Sequence, residues 1–128
     1  MLNNGPVGLF SSFAWKQYLP ITFQYSFRTS HYPYAEEIMD LADKFGIVIV
    51  DESPGVALDG FHNKQLLKNH LRVMEELVDR DKNRASVLVW SVANEPRSQH
   101  DGADTYFSTV ATHTKVRPYL CNITTTII

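Results

Sequence analysis

The chain has 128 residues, 44% of them hydrophobic and 20% charged, which is enough apolar material for one domain with a buried core. Its 12 basic and 14 acidic residues leave a formal charge of -2, so nothing in the charge balance points to nucleic acid or an anionic membrane surface as a partner. No run reaches the roughly 18 to 20 uninterrupted apolar residues of a membrane span, and the one cysteine, Cys121, can form no internal disulfide and leaves the redox compartment undetermined.

Met1 to Tyr25 is fairly apolar but is interrupted by Lys16, Gln17 and Pro20. It has neither a basic leading region nor a clean small-residue cleavage site, and is not read as a signal peptide. Ile21 to Phe27 alternates apolar and polar residues, as a strand does, and feeds the loop Arg28 to Pro33. Pro33 marks a helix start. Ile38, Leu41, Ala42 and Phe45 then share one helix face, with Glu36, Glu37, Asp40 and Asp43 opposite, and Gly46 closes the helix. Ile47 to Val50 is a β-branched run without alternation, the pattern of a strand covered on both faces, and it ends in Asp51-Glu52. After a loop through Pro54, Gly55 and Gly60, Leu67, Leu71, Met74 and Val78 line one side of a long amphipathic helix. Ser86 to Val92 forms a third strand, and Phe107, Val110, Ala111 and Thr114 keep helical spacing in a final helix. Val116 to Ile128 turns β-branched and, after Arg117, uncharged, and no element is placed there. Its Asn122-Ile123-Thr124 triplet has the glycosylation-acceptor pattern but is expected to go unused without an entry signal. Strand-helix alternation at this spacing predicts an α/β fold with a parallel sheet, whose chemistry belongs at the C-terminal strand ends.

Those ends carry Arg28 and His31, Asp51 and Glu52, and Asn94 and Glu95. Taken singly, each has an ordinary reading. Glu95 before Pro96 reads as a surface loop residue, Asn94 as a turn residue, and Arg28 equally as a ligand-binding donor or as a buried cation paired with Asp51 or Glu52. His31 is expected to face the pocket. His62, His70, His100 and His113 have no mutual spacing for a metal site and read as surface or helix-face histidines. Glu36, Glu37, Glu75 and Glu76 read as solvated helix faces. No Gly-rich phosphate loop follows Val50 or Val92, which argues against an ordinary doubly wound nucleotide domain.

The run from Asp81-Lys82-Asn83 through Val87-Leu88-Val89, Trp90-Ser91 and Asn94-Glu95 resembles the acid/base signature of the family 2 glycoside hydrolases. A second signature of that family is matched by Phe27-Arg28-Thr29-Ser30-His31-Tyr32-Pro33, followed at the usual distance by Gly46 and Ile47 to Val50. Tyr34-Ala35-Glu36-Glu37, Asp51-Glu52-Ser53-Pro54-Gly55 and Ser91 to Glu95 are most similar to its β-glucuronidase branch, the animal lysosomal enzymes above all. The resemblance covers Ser26 to Lys115 and divides the chain into a novel N-terminal segment (1–25), a partial catalytic barrel (26–115) and a novel C-terminal tail (116–128).

The resemblance implies a partial (β/α)8 barrel of about three β-α units, since a complete one takes about 250 residues. It implies retaining hydrolysis of β-D-glucuronides, with a β-glucuronide or other sugar as ligand and no cofactor or metal. Glu95 would be the acid/base, a carboxyl that a closed, apolar-walled pocket keeps protonated, and Asn94 would bond a sugar 2-hydroxyl. Arg28, His31 and Asp51 would bind or order the sugar. Tyr32, Tyr34 and Trp90 could stack on sugar rings, although core packing is the commoner fate of such residues. The family's nucleophile comes from a later strand, and its Asn-x-Lys element occurs nowhere in this chain, while Tyr25 stands where the upstream signature has Asn. The chain is therefore expected to be a truncated or aberrantly spliced form, inactive alone, and cytoplasmic rather than lysosomal. The competing expectation is an interaction protein that docks onto itself or onto a full-length barrel through its open sheet edges.

Overall fold

The computed structural model describes residues 26–115 and 124–126. Strand β1 covers Ser26–Arg28; the earlier part of the predicted strand, 21–25, lies outside the described residues. Helix α1, Glu36–Phe45, begins three residues later than Pro33 suggests, because Ala35 is still extended (φ -61°, ψ 146°). Glu36 and Glu37 in its first turn and Lys44 in its last complement the helix dipole. Gly46, at φ 68°, ends it in the left-handed conformation that glycine adopts without a Cβ penalty. Strand β2, Val48–Glu52, runs through the acidic pair instead of stopping before it.

Helix α2, Lys64–Asp81, is capped by Asn63, whose side chain accepts from the Gln65 and Leu66 amides at 2.9 and 3.2 Å. Strand β3 is Val87–Ser91 and helix α3 is Ala103–Lys115. A short strand, β4, Thr124–Thr126, follows in the tail where none was expected; its β-branched composition was the available signal.

The strands lie in the order β1-β2-β3-β4, every neighbouring pair parallel. Between β2 and β3 the register slips: Ile49 faces Val87, but Val50 faces Val89, so Leu88 is an extra residue on β3. Beyond the slip Asp51 pairs with Trp90 and Glu52 with Ser91. Side chains alternate across a strand, so Phe27, Ile49, Asp51, Val87 and Trp90 face the helices, while Arg28, Val50, Glu52, Val89 and Ser91 face the other way. Burial agrees. Ile49, Val87 and Trp90 sit in one core with Met39 and Ala42 of α1, Met74, Leu77 and Val78 of α2, and Tyr106, Phe107 and Val110 of α3. Val50 and Val89 are only half-buried, and Leu88 is 53% exposed. The architecture is a partial α/β barrel of three β-α units with helices on the outer face, and no helix among the described residues covers the inward face.

The Asn63 cap satisfies two amides that α2 itself leaves without partners. Asn63→Ala is expected to lower stability by about 1 kcal/mol, and Asn63→Asp to retain most of it, as read from urea-unfolding midpoints.

Candidate active site at the strand ends

Glu52 is the centre of the inward-facing cluster and is fully buried. Its Oε2 accepts from Arg28 Nη1 of β1 at 2.5 Å and from the Ser91 hydroxyl of β3 at 2.7 Å. The same Arg28 nitrogen donates to Asn94 Oδ1 at 3.0 Å. His31, in the loop after β1, brings Nδ1 to 3.8 Å from Glu52 Oε1, too far for a hydrogen bond, and neither atom has a partner among the described residues. Of the two readings of Arg28, the structure shows the pairing, with Glu52 and not Asp51, and the same guanidinium also bonds Asn94.

The turn after β3 is stitched to the loop after β2. Asn94 donates its amide to Gly55 O at 2.8 Å and accepts from Ala57 N at 3.0 Å, and Arg97 N reaches Leu58 O at 3.0 Å. Glu95, between these contacts, has φ 43°, and Ala57 across from it has φ 48°. Such left-handed geometry is unfavourable for a non-glycine residue and persists where the surroundings impose it. Glu95 itself is exposed, at the rim of the open face, and not enclosed by apolar walls as the sequence reading expected.

Of the predicted site residues, Arg28 and Asn94 are joined directly and His31 approaches the same Glu52, Glu95 follows Asn94 in the turn, and Asp51 lies apart from them. β2 continues through Glu52, so adjacent Asp51 and Glu52 point to opposite faces, and Asp51 lies on the helix side. Its Oδ1 accepts from the Thr29 hydroxyl at 3.1 Å, and Thr29 Oγ1 in turn accepts from Glu52 N at 2.8 Å. Burial, reinforced by hydrogen bonding to the neighbouring Asp81 carboxyl, pushes Asp51 up to about 7, against the opposing pull of Thr29 and Arg80. Sequence reasoning missed Thr29 and Ser91, whose roles depend on a register that residue patterns do not reveal. It also read His70 as a surface or helix-face histidine, whereas His70 is buried. The aromatics divide: Trp90 is core, Tyr34 stacks on Phe27 at 5.8 Å, and Tyr32 is exposed. Among the described residues no group of three or more His, Cys, Asp or Glu is arranged to hold a metal ion, and no helix is long and apolar enough to cross a membrane.

Residues 21–118 match the glycosyl hydrolases family 2 TIM barrel domain. The chain belongs to glycoside hydrolase family 2. It is 58% identical over 92 residues to the β-glucuronidase of Chlorocebus aethiops and 55% identical over 92 residues to that of Homo sapiens, in each case 70% of this chain and 14% of the relative. A solved β-D-glucuronidase from Dictyoglomus thermophilum superposes with a TM-score of 0.71 at 43% identity, covering 80% of this chain and 19% of that one. The β-glucuronidase of Ruminococcus gnavus, solved in complex with a C6-substituted uronic isofagomine, gives 0.69 at 42% identity, covering 77% of this chain and 17% of that one. The chain thus corresponds to a fragment of the larger enzymes' catalytic barrel.

The elevated Asp51 has a consequence for stability. An unfolded aspartate titrates near 3.8, so between that pH and about 7 the folded chain holds one more proton than the unfolded chain. The stabilisation is complete below about pH 4 and is lost as pH rises toward 7. Asp51→Asn is expected to flatten this pH dependence by about one proton per molecule, measured as the change in urea-unfolding free energy from pH 4 to 8.

Proposed function

We propose that this chain supplies the acid/base half of a retaining β-glucuronidase site. In this reading Glu95 protonates the leaving oxygen, Asn94 bonds the sugar 2-hydroxyl, and Arg28 and His31 hold the sugar and order the neighbouring carboxylate. Asp51 supports them from the helix side through Thr29. The observation that carries the reading is the Arg28 guanidinium bridging Glu52 and Asn94, which holds the amide beside Glu95 at the open rim. The substrate class rests on the β-glucuronidase relatives, one of which binds a uronic isofagomine.

Retaining hydrolysis needs a second carboxylate about 5 to 5.5 Å from the acid. Glu52, the buried carboxylate on the inward face, has one oxygen committed to Arg28 and Ser91, so it is poorly placed to attack an anomeric carbon. We therefore read the 128-residue chain by itself as catalytically silent, the nucleophile belonging to another part of the barrel. With purified, folded chain a fluorogenic β-glucuronide is expected to show no turnover from pH 4 to 8. Turnover abolished by Glu95→Gln would overturn this. A uronic isofagomine is expected to perturb the NMR signals of Asn94 and Arg28, and Arg28→Ala to remove that response.

A second reading is favoured by the uncovered face, where Val50 and Val89 stay half-buried and Leu88 is exposed. Apolar area of this kind favours association, and a second copy of the chain is the occupant we propose. Light scattering is expected to give a mass that rises with concentration and falls back in Leu88→Glu. A concentration-independent monomer would dismiss this reading.

A further inference from the structure

The carbonyl of Val92, the first residue after β3 and two before Asn94, is held from two directions. His70 of α2 brings Nε2 to 2.7 Å from it, and the Ser53 hydroxyl, just past β2, donates to it at 2.6 Å. The space beside it is also full. A Cβ added at Gly55 would come within 3.3 Å of the same oxygen, and Gly55 O is the acceptor for the Asn94 amide.

The chemistry of the partners fixes the state of His70. A carbonyl can only accept, so Nε2 carries the proton. Burial moves His70 below its ordinary value, against the opposing Val92 hydrogen bond, so the ring is neutral and Nδ1 is an acceptor. Nδ1 faces the Tyr106 hydroxyl of α3 at 2.9 Å. Burial raises that phenol to about 12, and it remains the donor. A directed relay thus runs from Tyr106 through His70 to Val92, linking both of the helices that flank β3 to the strand's exit.

We propose that His70 is a positioning residue for the Asn94–Glu95 turn, setting from α2 the point at which these residues leave β3. A buried histidine with both nitrogens bonded is often only a core residue, but here one bond ends on the carbonyl two residues before Asn94. The turn it feeds holds Glu95 at a positive φ that local propensity does not favour. The inference rests on the reading of Asn94 and Glu95 as the working end of the site, but its test does not require turnover.

The test is amide hydrogen exchange on the full chain, followed by NMR at Asn94 and Ala57, whose amides stitch the turn, and at Thr29 and Ile47 as remote controls. His70→Phe keeps a ring and removes the donor. It is expected to speed exchange at Asn94 and Ala57 by about tenfold with Thr29 and Ile47 unchanged. His70→Gln, whose amide N–H can reach Val92 O, is expected to restore most of the protection. No change in His70→Phe, equal acceleration at all four amides, or failure of glutamine to rescue would each overturn the proposal. Should His70→Phe not fold, the imidazole ¹⁵N signals of the native chain decide it: protonation at Nε2 is expected, and protonation at Nδ1 overturns it. Failure of the glycosidase reading would appear separately, in the hydrolysis and ligand-binding measurements, with these exchange rates unaffected.

Discussion

A carboxylate with no access to water must have its charge answered inside the protein, and Glu52 imposes that requirement on the strand ends. The answer comes from both sides. Arg28 reaches it from β1 and Ser91 from β3, so one side chain ties three consecutive strands together at their C-terminal ends. Asn94 is attached to this arrangement through the same guanidinium nitrogen. Removing Arg28 would strand the buried Glu52 carboxylate, a loss of about 3 to 5 kcal/mol, and Asn94 would lose a side-chain partner at the same time. The ion pair therefore belongs to the fold and to the site together.

Behind the sheet a second acidic group plays a different part. Burial beside the Asp81 carboxyl favours the protonated form of Asp51, which accepts from the Thr29 hydroxyl, and Thr29 in turn accepts from the Glu52 backbone amide. Adjacent residues of one strand thus handle burial in two ways, Glu52 by pairing and Asp51 by neutralisation. The contrast follows from their surroundings, a guanidinium on the inward face and the Asp81 carboxyl on the helix side. Further out, the loops after β2 and β3 continue the parallel pairing past the sheet, and the Val92 carbonyl beneath them is anchored to α2. The site is built from strand ends and from bonds that hold those ends still.

Much of this was readable in the residues. The β-branched run before Asp51-Glu52 and the Val-Leu-Val-Trp-Ser run located β2 and β3, the spacing of Met74 and Val78 located α2, and the family signatures pointed to Arg28, His31, Asn94 and Glu95. Other features depended on information that the sequence holds only implicitly. Asp51 and Glu52 look equivalent until the strand is known to continue through both, after which alternation separates them. His70 reads by default as a surface or helix-face residue, although it lies three residues after Leu67 and four before Met74, on the face that α2 buries. Its burial depends on Tyr106, far along the chain, and no local pattern reports a partner at that separation. β4 was too short for its three threonines to stand out from a tail of similar composition.

The extra residue in β3 has a wider meaning. Had β2 and β3 stayed in simple register after Ile49 and Val87, Glu52 would have met Trp90 and not Ser91. An indole would then have stood against the carboxylate on the inward face, and the core under α2 and α3 would have lost its largest side chain. Leu88 therefore acts as a spacer whose presence matters more than its chemistry. Many apolar residues could occupy that position, but the count from Val87 to Asn94 cannot change by one without turning the strand inside out. Along this stretch, inheritance must preserve length more strictly than composition, and a single-codon deletion would do more harm than most substitutions.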